Sequence, residues 1–286
     1  MNTFLQVTID GILNGMIYAL VASGLSLTWG VMDVINFAHG EFLMAAMYLT
    51  YWLAFYGGVD PLVAWVAAGL FGFMLGWLVF RLVVVHCLDK TPMAALLATF
   101  GLSMMLKNGC LYLFSPNYRV LSGTWLEGKK IIAGSLVIPL PQLVTSIFAL
   151  LMVSALYLLL RKTRLGWAIQ ATSMDREAAE LMGIDTRWIL TLVFALSGAC
   201  VGVAGGLMPM YLAVHPEVGS LFSLIAFLIV AMGGFGSMIG AFFAALLIGL
   251  VESYAGFYAA PVLKYVAVFS LYLVVVQWRP KGLFGW

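Results

Sequence analysis

The sequence predicts an all-α polytopic integral membrane protein with about eight or nine transmembrane segments, some broken or half-length. Three observations carry that prediction. Hydrophobic residues make up 64% of the 286 and charged residues only 9%, where a soluble domain carries about a quarter charged residues. Apolar runs of roughly the 20 residues needed to span a bilayer recur along the whole chain. Lys and Arg are gathered into a few loops instead of being spread over a surface.

The spans are read in order as Asp10–Gly30, Glu41–Tyr56, Leu62–Phe80, Pro92–Phe114, Pro141–Leu160, Trp188–Tyr211, Leu221–Met232, Ile239–Phe257 and Pro261–Trp278. No Lys or Arg precedes Arg81, so the first stretch lacks the basic n-region of a cleavable signal and reads as a retained span. The seventh is short enough to be a half-helix. All nine belong to one membrane domain over 1–286. Cys87, Cys110 and Cys200 are far apart in sequence and form no CxxC pair or His/Cys cluster, so neither a disulfide nor a zinc site is expected.

Basic residues fix the sidedness. Arg161, Lys162, Arg164, Arg176 and Arg187 place the loop over about 161–188 in the cytoplasm, and Arg279 with Lys281 puts the C-terminus there too. Counting back, Arg81–Thr91 is cytoplasmic, the loop over about 115–140 faces outward and the N-terminus is outside. The outer loop carries Arg119, Lys129 and Lys130 against the charge rule; its Gly123, Gly128 and Gly134 punctuate alternating stretches and predict a small β-hairpin. Gly11, Gly15, Ala19 and Ser23 recur every four residues, as do Gly198, Gly202 and Gly206, then Gly236 and Gly240. Such ladders let helix backbones approach closely, either within the chain or as a seam to another one.

Within the cytoplasmic loop, Thr172 to Gly183 reads as one short helix. Thr172 or Ser173 serves as its N-cap, Asp175 and Glu177 lie in its first turn, and Gly183 closes it. Met174, Ala178, Leu181 and Met182 share a face. An amphipathic helix of this kind either plugs into another protein or lies on lipid headgroups.

Polar residues at membrane depth are the second signal. Asp33, Asn36, His39 and Glu41 fall within nine residues flanked by Gly30 and Gly40. That pattern fits a broken helix whose freed backbone lines a cavity, or a short cytoplasmic turn capping the next helix. In the fourth span Thr99, Ser103 and Lys107 form a stripe with Asn108 beside it. Lys107 either lines a pathway, with Glu252 as an available partner, or snorkels to the interface. No GxxxxGK[ST] phosphate loop or soluble catalytic constellation occurs, so the chain reads as non-catalytic.

Glu177-Ala178-Ala179-x3-Gly183 matches the EAA loop of ABC-importer permeases, and the stretch from Arg164-x-Gly166 to Gly183-Ile184-Asp185-Thr186 resembles the branched-chain amino-acid permease family. The run Asn36-Phe37-Ala38-His39-Gly40 and the element Gly233-Gly234-Phe235-Gly236-Ser237 are similar to its LivH type, over about Gly11 to the C-terminus. The usual Ile-x-Leu-Pro continuation is replaced by Val193-Phe194-Ala195-Leu196. The resemblance implies a permease subunit of an inner-membrane ABC importer, carrying branched-chain amino acids or a related small solute such as urea or a short amide. It implies partners: a LivM-like second permease, two ATPase subunits that bind ATP and Mg, and an extracytoplasmic substrate-binding protein. ATPase coupling would fall to Arg176, Glu177, Ala178, Ala179, Leu181 and Gly183. The substrate pathway would use Asn36, His39, Glu41, Thr99 and Ser103. An ion-coupled carrier acting alone is the competing reading; it uses the buried charges but gives the short loop helix no task.

Overall fold

A computed structural model describes residues 2–88, 90, 92–134 and 136–285. Among the described residues eleven α-helices follow one another: α1 (Asn2–Met32), α2 (His39–Gly57), α3 (Pro61–Leu82), α4 (Pro92–Phe114), α5 (Leu140–Lys162), α6 (Arg164–Met174), α7 (Arg176–Leu181), α8 (Thr186–Leu207), α9 (Val218–Gly233), α10 (Met238–Tyr258) and α11 (Lys264–Trp278). The elements α1, α3, α4, α5, α8, α10 and α11, the last together with the 3₁₀ turn Pro261–Leu263 before it, are long and apolar enough to cross a bilayer. The two remaining membrane-depth helices, α2 and α9, are the ones that build the site. All nine anticipated spans are therefore present as helices. Asp89 and Thr91, in the loop read as cytoplasmic, lie outside the described residues.

Small residues set the packing. In α8 the backbone at Gly198 crosses α3 so closely that a Cβ there would lie 2.2 Å from the carbonyl oxygen of Gly72, and one at Gly202 would lie 2.5 Å from that of Ala68. Gly11 and Gly15 of α1 meet Leu250 and Leu246 of α10 in the same manner. These glycine ladders hold the chain together internally, with α8 buried at the centre of the bundle. At the outer face, strands β1 (Lys130–Ala133) and β2 (Leu136–Pro139) form the expected antiparallel hairpin, Lys130 opposite Pro139 and Ile132 opposite Val137.

That hairpin explains where the first span starts. α1 begins eight residues before Asp10, because Gln6 pairs with the β2 backbone: its Nε2 donates to the Val137 carbonyl at 2.8 Å and its Oε1 accepts from the Val137 amide at 2.9 Å. Arg119, basic on the outer side, is used structurally. It donates to the Phe114 carbonyl at 2.7 Å and lies 4.9 Å over the Trp52 ring.

The cytoplasmic loop differs from the sequence reading. Two helices occupy it instead of one, and the N-cap of the second is Asp175, whose Oδ1 accepts from the Ala178 amide at 3.0 Å. Thr172 and Ser173 lie in the last turn of α6, where their hydroxyls donate to the Ala168 and Gln170 carbonyls at 2.8 Å each. Asp outcompetes them as a cap because α6 already has its own start: the Thr163 hydroxyl accepts from the Gly166 amide at 3.0 Å.

Candidate functional site

Two places in the fold put side chains where their chemistry is unusual for the medium around them. The first is the junction between α1 and α2. After Met32 the chain turns at Asp33, whose φ is +52°, and runs without regular structure to Asn36 before a turn at Phe37–Ala38. At the start of α2, His39 Nε2 lies 2.8 Å from the Val21 carbonyl oxygen. Val21 is 11 residues before the end of α1 at Met32, or about 16 Å back along that helix. Six residues of extended chain reach about 20 Å, enough for that distance. The segment therefore climbs back beside α1, and α2 begins at mid-depth in the bundle.

His39 acts there as a strut. It is fully buried, reaching α1 through Val21 and α8 through the Ser197 hydroxyl, 3.4 Å from its Nδ1. Asn36, also buried, shapes the turn: its Oδ1 accepts from the Ala38 amide at 3.1 Å and its backbone carbonyl from His39 at 3.3 Å, while its Nδ2 has no protein partner. Thr99 of α4 fastens the same segment, donating to the Ile35 carbonyl at 3.0 Å. Phe37 packs against Phe100 of α4 and Phe227 of α9, 6.0 and 5.1 Å away.

α9, 16 residues long, also starts at depth, and its first turn crosses that of α2. A Cβ on Gly40 would fall 2.0 Å from the Gly219 carbonyl oxygen, so the crossing exists only with glycine. Ser223 of α9 accepts from the Gly40 amide at 2.9 Å, satisfying an N–H that the helix start leaves open. Glu41 sits where these two helix N-termini meet. Its Oε1 accepts from Ser103 of α4 at 3.3 Å and Ser220 of α9 at 3.4 Å, and its Oε2 is buried with no partner. Both helix starts present their positive dipole ends to the carboxylate. One turn above Ser103, Lys107 is close enough for its charge to act on Glu41 and lies 3.5 Å from Glu217, at the N-cap of α9.

So Glu41, Ser103 and Lys107 come together, Thr99 and Asn36 lie below them at the chain break, and His39 points to the opposite side, into the α1–α8 packing. Lys107 does not meet Glu252. That acid lies on α10, where it accepts from Tyr18 at 2.7 Å and pairs with Lys264 of α11 at 2.7 Å; being on adjacent helices, Lys264 reaches it first. Sequence reading missed the α9 contribution of Glu217, Ser220 and Ser223. Their spacing of three is the same kind of polar stripe that marked α4, and it was available in the sequence.

The second place is α7. Asp175 caps its start. At its end the Ile184 amide donates to the Ala179 carbonyl at 3.1 Å and the Gly183 amide to the Glu180 carbonyl at 3.0 Å, with Gly183 at φ +85°, a Schellman closure. Arg176, Glu180 and Thr186 join the helix to the start of α8: Arg176 Nε is 3.6 Å from Glu180 and donates to Thr186 at 3.4 Å, and Thr186 donates to Glu180. Ala179 is buried against the bundle. Leu181 and Met182 are 89% and 83% exposed, and Glu177 and Ala178 are exposed with them. Met174, 88% exposed, belongs to the end of α6. A helix this short is marginal alone, yet it is fixed at both ends and presents apolar side chains to water. Along α6, a cavity of about 380 Å³ opens between α1, α5, α6 and the α9–α10 turn, lined in part by Ser26, Arg161, Gln170, Ser173 and Ser237.

Comparison with known proteins follows the same lines. The family model described as "Branched-chain amino acid transport system / permease component" matches residues 7–276. The permease protein LivH of the high-affinity branched-chain amino acid transport system is 30% identical in Salmonella typhimurium and in Escherichia coli, in each case over 99% of this chain and 96% of the relative. The corresponding permease protein BraD of Pseudomonas aeruginosa is 28% identical over 99% and 96%. Among solved structures, PsaBC from Streptococcus pneumoniae in complex with Fab superposes with a TM-score of 0.53 over 98% of this chain and 94% of that one, at 13% identity, a likeness of fold.

Proposed function

The chain belongs to the permease family of branched-chain amino acid transport systems, and from that premise we propose how its two unusual places divide the work of an ABC importer. α7 with the end of α6 is the seat for an ATPase subunit, which supplies the ATP and Mg²⁺ chemistry that this chain's motifs lack. Arg176 and Gly183 hold the helix in place, Ala179 anchors it to the bundle, and Glu177, Ala178, Leu181 and Met182 face the partner. The face formed by α4 and the start of α9 meets a second, LivM-like permease, so that the substrate, handed over by an extracytoplasmic binding protein, passes along Glu41, Ser103 and Thr99. Asn36 and His39 keep the chain break in position beside it.

The observation that carries the first half is the rigid, doubly capped α7 with its apolar side chains in water. An ion-coupled carrier acting alone leaves that helix without a task. The polar stripe carries the second half, because charged groups on a membrane-depth surface are costly unless a pathway or partner uses them.

The test is purification of the tagged permease from its own inner membrane, followed by reconstitution. An ATPase subunit should co-purify, and branched-chain amino acids presented with the binding protein should stimulate its ATP hydrolysis and be taken up. Glu177→Lys should lower recovery of the ATPase at moderate salt while membrane insertion stays normal. Recovery of a permease that transports with no ATPase present would sink the proposal.

A further inference from the structure

The groups around Glu41 also bear on what kind of molecule crosses. We infer that Glu41 and Lys107 form the two ends of a site for a zwitterion, Glu41 receiving the α-ammonium and Lys107 the carboxylate, so that free α-amino acids use it and uncharged urea or amides do not. This rests on the permease reading above.

Glu41 has the features of an acceptor without its donor. Oε2 is buried and unpartnered, and Oε1 holds only two long hydrogen bonds, at 3.3 and 3.4 Å, both from hydroxyls. An ionised carboxylate offers about four acceptor positions, more than the two hydroxyls on Oε1 fill. An ammonium brings three donors, and Ser103 and Ser220 can rotate their hydroxyls to accept from it. Oε2 lies against Gly219 of α9, where a Cβ would come within 2.5 Å of that oxygen, so only glycine leaves the carboxylate room there. Lys107 stands four residues further along the same face of α4, about 6 Å. Its present partner, Glu217, is 3.5 Å away with a side chain 72% exposed, an ion pair weak enough to exchange for an incoming carboxylate. In an α-amino acid both charges sit on one carbon, which matches a carboxylate held at Ser103 and an ammonium one turn further along α4. Urea has neither charge and would leave Glu41 as it is.

The experiment uses the complete reconstituted complex with Cys87, Cys110 and Cys200 replaced by serine and Leu224→Cys as reporter. Leu224 is exposed on α9 one turn beyond Ser220, outside the proposed contacts. Millimolar leucine should slow labelling of that thiol by hydroxyethyl methanethiosulfonate, and Glu41→Gln should abolish the protection, a loss of about tenfold or more in apparent affinity. Lys107→Gln should weaken protection by leucine but leave that by leucine amide, which keeps only the ammonium, unchanged; a purely structural role for Lys107 would not separate the two. Urea should give none. Protection by leucine that survives Glu41→Gln, protection by urea equal to that by leucine, or no leucine protection in a complex that takes leucine up would each overturn the inference. A complex that takes up no amino acid at all overturns the permease reading instead, and the uptake control reports that separately.

Discussion

The start of α2 and the whole of α7 invert the usual rule of burial in opposite directions. At α2 the buried side chains are Glu41 and His39, in a medium with no water to solvate them; at α7 the exposed ones are Leu181 and Met182, in a medium that disfavours them. Each inversion is held in place by ordinary means. Glycine contacts, a strut and borrowed serine hydroxyls fix the first, and caps at both ends fix the second. Buried polar groups and exposed apolar ones are the informative departures from the general pattern, and here one set lies inside the helix bundle and the other in the loop between α5 and α8.

The sharpest way to break the first region is Gly40→Val. With the Gly219 carbonyl 2.0 Å from the position of the new Cβ, α2 and α9 must separate, at about 3 kcal/mol. Uptake should fall to background and the thermal transition of the detergent-solubilised permease should drop; a normal transition temperature would mean that the crossing is not tight. The second region breaks differently. Leu181→Asp should leave that transition unchanged, because the side chain touches little in the chain itself. It should cut ATPase recovery, since an apolar side chain buried at an interface is worth about 2 kcal/mol, roughly thirtyfold in affinity. Loss of fold stability with unchanged recovery would reverse the comparison.

Gly183→Ala probes the cap alone. Nothing lies within 4 Å of the added Cβ, so only the left-handed backbone is strained, by roughly 1 kcal/mol. Coupling of ATP hydrolysis to uptake should weaken severalfold at unchanged expression; wild-type coupling would assign the closure of α7 to its hydrogen bonds. The smallest effect belongs to the outer loop. There the His215 ring packs at a tilt against Tyr118, centroids 4.5 Å apart, beside the bridge between Arg119 and Val214. Burial lowers its pKa, with Glu217 pulling weakly the other way. The folded loop therefore prefers the neutral ring, and its stability is lost as pH falls through the unfolded value of about 6.5 toward the lower folded one. Amide exchange at Val214 should quicken over that range, and His215→Phe should flatten the dependence.

The helices were legible because length and apolarity fix a span almost without competition. Even the half-length of α9 could be read from the distance between the turn at His215–Glu217 and Gly233. Caps were less legible: Thr172, Ser173 and Asp175 are all good N-caps, and which one acts depends on α6 having started at Thr163. Partners across helices were the least legible. Lys107 finds Glu217 and not Glu252 because α9 begins deep in the bundle, and that depth follows from the backward climb after Asp33, a matter of backbone angles that no residue pattern announces.

That climb has a consequence for how the protein is made. α2 carries His39 and Glu41 near its start, and a charged residue at a helix centre costs about 2.5–3.5 kcal/mol to insert; α2 is not among the helices apolar enough to cross by themselves. One of its polar contacts, Val21, is synthesised before it, but Ser197, Ser220 and Ser223 emerge from the ribosome more than 150 residues later. Final seating of α2 must then wait for α8 and α9, and until they arrive the nascent chain holds an unfinished helix that the insertion machinery has to shelter from lipid.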